Sequence, residues 1–313
     1  MTKYILRRLL LFIPALIGVT ILTSSLIYLS PGDPARLMLG PQARTEAIVQ
    51  LREEMGLDRP FYLRYLDWMG KVFRGNLGRS LQRNEGVADM IMARVPATLQ
   101  LAFFALIIAL LIAIPTGVFS ALHPNSLFDN VARFFAVFWI SMPSFWLGLV
   151  LLLLFSLRLD WLPISGQGGP IWTATGMLHI ILPAFALGAR RVAILTRLIR
   201  SRMMEILQED YIRTARSKGL SERIVVYRHA FRNVLIPVVT VLGLQIPWLF
   251  SGSVIIEKVF AWPGMGRMLI DAVFKRDYPV VQGSILVFGI LVMLINLAVD
   301  LTYAYIDPRI KYD

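Results

Sequence analysis

At 313 residues, 57% of them hydrophobic, and with a mean hydropathy of +0.64, the chain is far more apolar than a soluble domain, where about 45–50% is usual. It is expected to be an integral membrane protein. The formal net charge of +12 would point to nucleic acid only on a basic face of a soluble domain. Here the charge lies in loops beside bilayer-length apolar runs, where membrane lipid phosphate and the orientation rule account for it, so no nucleic-acid partner is expected. The absence of cysteine excludes disulfides, thiolate metal sites and thiol chemistry.

In chain order, Lys3, Arg7 and Arg8 precede Leu9–Leu29, 21 uncharged residues that make a helix of about 30 Å, enough to cross a bilayer. The run is longer than a signal-peptide core and ends in YLSPGDP, so a retained first helix with a cytoplasmic N-terminus is expected. Residues 30–96 are polar and punctuated by Gly and Pro, with short amphipathic helices near Thr45–Met55 and Phe61–Phe73. In the second, Phe61, Tyr65, Trp68 and Val72 share a face that either packs on the membrane helices or docks an external partner. Further spans are expected at Leu99–Phe119, Phe134–Leu157, Met177–Leu198, Val234–Ile256 and Pro279–Val299, which makes six. Between the last two, Glu257–Asp277 is expected to be a polar re-entry with a Pro-Gly turn in AWPGMGRM. Six crossings return the C-terminus to the cytoplasm. Residues 190–232 hold 11 Lys or Arg against four acids, on the side where positive charge belongs. The external loop, with ten basic and eight acidic residues, spans 67 positions, beyond the roughly 60 over which loop charge dictates orientation.

Pro115, Pro143, Pro183 and Pro247 fall inside four of the last five spans and should kink them, which suits a moving bundle with the first helix as a peripheral brace. No G-x-x-x-x-G-K-[ST] phosphate loop is present, His123, His179 and His229 lie in separate segments, and no acid pair sits inside a span. The sequence therefore offers no enzyme site, no metal site and no cofactor. Arg190 and Arg191 either snorkel to lipid phosphate or face a pathway and offer a cation to a carboxylate-bearing substrate. Gln245, Trp248, Ser251 and Asn296 are candidates to line a polar lumen, or to bond between helices.

The basic interruption EDYIRTARSKGLSERIVVYRHAFRNVLIP, Glu209–Pro237, carries the most local information. Glu209 and Asp210 place negative charge at a helix N-terminus and Lys218 positive charge at its end, with Gly219 as a left-handed cap. Ser221 is expected to cap a second helix with Glu222 in its first turn. Tyr211, Ala215 and Lys218 share one face, and Thr214 and Ala215 are small enough for another protein surface to approach closely. The competing reading is a solvated basic loop near lipid, which would not need two capped helices.

DYIRTARSKGL followed by RHAFRNVLIPVVT resembles the signature loop of bacterial binding-protein-dependent ABC transporter permeases, of the dipeptide, oligopeptide and nickel subfamily. LRRLLLFIPALIGVT, PGDPARLMLGP, GLDRP, GNLGRS, EKVFAWPGMGRMLIDAVFKRDYPVVQG and DLTYAYIDPRIKY are similar to the same subfamily, so the likeness spans nearly the whole chain. In the Glu-Ala-Ala, three residues, Gly pattern, Arg213, Thr214 and Ala215 take the first places and Gly219 the last. Arginine replaces the acid, and the distance from Gly219 to Pro237 exceeds that in sugar permeases. The resemblance implies an all-α, type I importer-like fold, with an N-terminal helix and external segment over 1–96 and a five-helix core over 97–313 that holds a cytoplasmic coupling loop at 199–233. It implies import across a bacterial inner membrane, of di- or oligopeptides, nickel or glutathione. The implied partners are a second homologous permease, two ATP-binding cassette ATPase subunits and a periplasmic or lipid-anchored solute-binding protein. Asp210, Tyr211, Ile212, Arg213, Thr214, Ala215, Lys218, Gly219 and Leu220 would then form the ATPase-coupling segment. A stand-alone channel or secondary transporter is the rival reading.

Overall fold

The computed structural model describes residues 2–29, 35–36, 44–54 and 56–306. Most of PGDPARLMLGP and the tail beyond Ile306 lie outside the described residues. The described chain is helical: α1 (Thr2–Leu29), α2 (Thr45–Glu54), α3 (Phe61–Phe73), α4 (Val87–Met92), α5 (Val95–Leu122), α6 (Leu127–Ser141), α7 (Ser144–Arg158), α8 (Ala174–Ile206), α9 (Asp210–Ser217), α10 (Glu222–Val259), α11 (Met265–Phe274) and α12 (Tyr278–Ile306). Among the described residues there is no strand, only one isolated antiparallel bridge between Arg79 and Gly86.

Four helical stretches are long and apolar enough to cross a membrane: Val87–Leu122, Ala174–Ile206, Glu222–Val259 and Tyr278–Thr302. Leu127–Ser141 and Ser144–Arg158 make a fifth if the pair is one span. The described apolar part of α1, Leu10–Ser25, is shorter. The expectation of one kinked helix over Phe134–Leu157 is corrected. The chain turns by 112° between Ser141 and Ser144, with Met142 and Pro143 in extended conformation. Pro143 has no N–H to give the preceding turn and disfavours helical backbone at Met142, so it begins a new helix rather than kinking an old one. Pro115, Pro183 and Pro247 do sit inside helices, and so does Pro237.

The chain divides into two compact units. In one, residues 2–96 associate with 264–294. Val87, Met90 and Ile91 of α4 pack with Met265, Met268 and Ala272 of α11 and Val280 and Val281 of α12. Buried Ser80 donates to Asp277 Oδ2 at 2.5 Å, while the Leu81 N–H reaches Oδ1 at 3.2 Å, so this carboxylate closes the loop onto the start of α12. The α3 face packs on α1: the Tyr65 hydroxyl bonds Thr20 Oγ1 at 2.8 Å and Arg64 donates to the Ser24 carbonyl at 3.3 Å.

In the other unit, 97–263 and the chain from 295, small residues set the packing. Ala105, Ala109, Ala113, Gly117 and Ala121 recur every fourth position along α5 and are all buried. A stripe of small side chains lets two helix backbones approach closely, which drives association where lipid tails already satisfy apolar surface. α8 is the partner: a Cβ on Gly188 would stand 2.6 Å from the Ala105 carbonyl oxygen, and one on Gly117 would stand 2.8 Å from the Ile199 side chain. Glu257, assigned from sequence to a polar re-entry, instead lies inside α10, fully buried, and accepts a bond from Thr98 Oγ1 at 2.7 Å. The turn follows it, with Ala261 at φ +50° and buried Trp262 donating to the Ala97 carbonyl at 2.9 Å.

Candidate functional site

Two places in the second unit gather the residues singled out by sequence. The first is α9 and its elbow. Glu209 is the N-cap, Asp210 opens the first turn and Lys218 is the C-cap. Gly219 has φ +74°, the left-handed conformation that favours glycine. Its N–H bonds the Arg216 carbonyl at 2.9 Å and the Leu220 N–H bonds the Ala215 carbonyl at 3.4 Å, which closes the helix end in a Schellman motif. Ser221 occupies the next N-cap position, but its side chain makes no capping bond. Glu222 instead grips Arg216 across the elbow, Nε to Oε1 at 2.8 Å. The second helix does not stop before the membrane. It runs unbroken from Glu222 to Val259, through a π-helical stretch at Val225–Phe231.

The helix faces differently from the sequence expectation. Ala215, assigned to a partner-facing surface, is 7% exposed, and Ile212 is 0% exposed. Both belong to the apolar core built from Ile199 and Met203 of α8 and Val225, Val226, Ala230 and Val234 of α10. The reason is periodicity: with positions 212 and 215 on one face, the buried side of so polar a helix must contain its isoleucine. Full burial of an isoleucine contributes about 1.5–3 kcal/mol, so α9 is fastened rather than draped. Asp210, Tyr211, Arg213, Thr214, Lys218, Gly219 and Leu220 remain exposed. Tyr211 Oη accepts from Asn233 Nδ2 at 2.8 Å, a further tie to α10.

The second place is a cavity of about 640 Å³ bounded by the α6–α7 break, α8 and α10. Arg190, Arg191, Gln245, Trp248 and Ser251 all line it; Asn296, half-buried on α12, does not. Gln245, Trp248 and Ser251 lie one turn apart along one side of α10, and Trp248 is 69% exposed. Arg191 is buried and donates from Nη1 to the Leu187 carbonyl at 2.9 Å, whereas Arg190 is exposed with no ion pair among the described residues. Met142, Pro143 and Ser144 of the break form part of the wall. Non-helical backbone at membrane depth is tolerated where it lines such a cavity. The cavity can thus hold a polar solute of a few hundred Å³ between a cation and an indole. No group of three or more potential metal ligands occurs among the described residues.

Sequence reading missed a third element beside this site. Asp129, fully buried, accepts from Arg200 Nε and Nη2 at 2.6 and 2.8 Å and from the Asn125 N–H at 2.9 Å, so one carboxylate ties α6 to α8. Only the Asp129 and Arg133 spacing on α6 hinted at it, and that pair is the weaker contact at 3.7 Å. A second cavity, of about 420 Å³, lies in the first unit, with Arg59, Arg64, Lys71 and Arg79 against Glu53 and Asp67. There the hydrogen bond from the Lys71 ammonium, 2.8 Å away, holds the Asp67 carboxyl below the usual carboxylate range.

Residues 113–312 match the family model described as "Binding-protein-dependent transport system inner membrane component", and residues 1–102 match its N-terminal companion. The chain is similar to the dipeptide transport system permease protein DppB of Alkalihalophilus pseudofirmus, 44% identical with both chains fully covered. It is also similar to the oligopeptide transport system permease protein AppB of Bacillus subtilis and the glutathione transport system permease protein GsiC of Escherichia coli. Both are 42% identical with both chains fully covered. Among solved structures, the inward-facing MetNI methionine ABC transporter shares the fold, with a TM-score of 0.56 at 18% identity over 70% of this chain and 96% of that one.

Proposed function

Since the chain belongs to the binding-protein-dependent transport system inner membrane component family, we propose that it is the permease subunit of an ATP-driven importer of di- or oligopeptides. It forms half of a translocation pathway with a second, homologous permease. Two ATPase subunits hydrolyse ATP, and a solute-binding protein delivers cargo from outside. In this reading the chain crosses the membrane six times, with α9 and both termini in the cytoplasm; the basic residues around α9 support that side. No bond is made or broken in this chain; its work is to favour one of two conformations as the ATPase pair opens and closes.

The observation that carries this reading is the two-sidedness of α9. Ile212 and Ala215 are buried in the core that also holds α8 and α10, while Asp210, Arg213, Thr214 and Lys218 stay exposed for a partner. A displacement applied to the exposed side reaches the helices that wall the cavity containing Arg190, Arg191, Gln245, Trp248 and Ser251. In that reading those residues line the pathway and the arginines meet the cargo carboxylate; Asn296 is kept as a candidate lining residue nearer the end of α12. Peptide is favoured over nickel because the cavity offers cations and an indole, not metal ligands. Glutathione is itself a peptide with free carboxylates and fits the same chemistry.

The test is reconstitution of the complete importer. Arg213→Glu combined with Lys218→Glu should abolish peptide-stimulated ATP hydrolysis while membrane insertion is unchanged. Uptake that persisted in vesicles containing this chain without ATPase subunits would favour the channel or secondary-transporter reading and overturn this one.

A further inference from the structure

Beyond the cavity that holds Arg190 and Arg191, α8 continues past a second concavity of about 640 Å³. Arg133, Val137 and Ile140 of α6 form one wall and Ile194, Arg197 and Ser201 of α8 the other. Ile194 lines both concavities. Positions 190, 194, 197 and 201 are separated by four, three and four residues, so a single stripe of α8 runs through the two.

The charge along this stripe is not neutralised. Asp129 engages Arg200 at 2.6 Å and Arg133 at 3.7 Å and so offsets one of their two charges. Arg197 is exposed, has no ion pair or hydrogen bond among the described residues, and no acid lines the groove. The groove keeps two positive charges between walls of Val137, Ile140, Ile194 and Leu198. Low-dielectric walls focus the field of such charges and raise their attraction for an anion. Arg190 and Arg197 are seven positions apart, about 10 Å along a helix, close to the roughly 10 Å length of an extended tripeptide.

We infer that Arg197, with Arg133 beside it, is a second carboxylate-binding station to which the cargo's carboxylate passes from Arg190 along α8. The inference rests on the importer reading above and names what that pathway recognises: a free carboxylate, accepted in the fork of a guanidinium. Exposure keeps the station weak, which a transit site requires, since cargo must leave as well as enter. An anionic phospholipid presents a similar charge to the same groove, and the experiment separates the two.

The importer, without its binding protein and without nucleotide, is placed in nanodiscs of phosphatidylcholine alone or with phosphatidylglycerol. Saturation-transfer NMR then reads contact with Ala-Ala and with Ala-Ala amide, which lacks the carboxylate. Ala-Ala should give the larger signal. In an Arg190→Gln background, which removes the first station's share of the signal, Arg197→Gln should lower it about tenfold, the loss expected for one charge-assisted hydrogen bond, with Arg197→Lys restoring part of it and the amide signal unmoved. Equal signals from the two ligands, an equal fall in both, or an Arg197→Gln effect seen only with phosphatidylglycerol would each overturn the station. ATP-driven uptake of Ala-Ala by the complete wild-type importer is measured in parallel. If that uptake is absent, the peptide-importer reading itself fails; if it is present and Arg197→Gln has no effect in the NMR experiment, only the station fails.

Discussion

A carboxylate with no exposed surface stays ionised only if N–H groups and cations replace the water it has lost. Asp129 meets that condition with Arg200, Arg133 and the Asn125 N–H. Removing the acid leaves Arg200, whose side chain is 19% exposed, without its partner. Asp129→Ala should therefore destabilise the protein by about 3 kcal/mol, and adding Arg200→Met should recover most of that loss, because apolar replacement of both partners is often close to neutral. Thermal unfolding in detergent reads both variants. The sequence was legible where a residue announces its own chemistry, as Gly219 does in the left-handed cap at φ +74°. It was illegible where burial depends on distant helices. Nothing around Glu257 distinguishes a buried acid bonded to Thr98 from the polar loop residue its neighbours suggest, because its partner lies 159 positions away.

Among the elements, the apolar runs marked the helices well, since 18 or more apolar residues have few alternatives. Which face each helix turns inward was less visible. Alanine and glycine every fourth residue on α5 score as ordinary hydrophobic content, although their smallness is what admits α8. Gly188→Val tests this directly: its side chain would begin 2.6 Å from the Ala105 carbonyl oxygen, backbone that has nowhere to move cheaply. Destabilisation of about 1–3 kcal/mol or more is expected, as for other overpacked cores, and should appear as a lower melting temperature together with reduced uptake. Gly18, with no atom near its would-be Cβ and inside α1, is the control whose change to Ala should not lower the melting temperature. The α6–α7 break was half legible. Pro143 was visible, but the single helix expected around it over Phe134–Leu157 is two, Leu127–Ser141 and Ser144–Arg158, and whether a proline kinks or terminates depends on whether the freed backbone finds a cavity to line, which is a property of the packed bundle.

For the molecule as a whole, the orientation proposed above is directly testable because the chain has no cysteine. Ser217→Cys on exposed α9 should react with a membrane-impermeant maleimide in inverted vesicles but not in intact cells; Ser165→Cys, also at an exposed position, should do the reverse. The opposite pattern would invert the topology. Seen at this scale, the closed elbow at Gly219 also bears on efficiency. A joint bonded through Gly219, Leu220 and the Arg216–Glu222 pair, on a helix anchored by Ile212, has little mechanical slack. In the importer proposed above, with α9 as the element the ATPases move, slack in such a joint would absorb part of each stroke, and the engine would idle: ATP would be spent on cycles that move no cargo. The stiffness of this elbow is therefore a reason to expect a fixed ratio of ATP hydrolysed to solute imported, and slippage where the elbow is loosened.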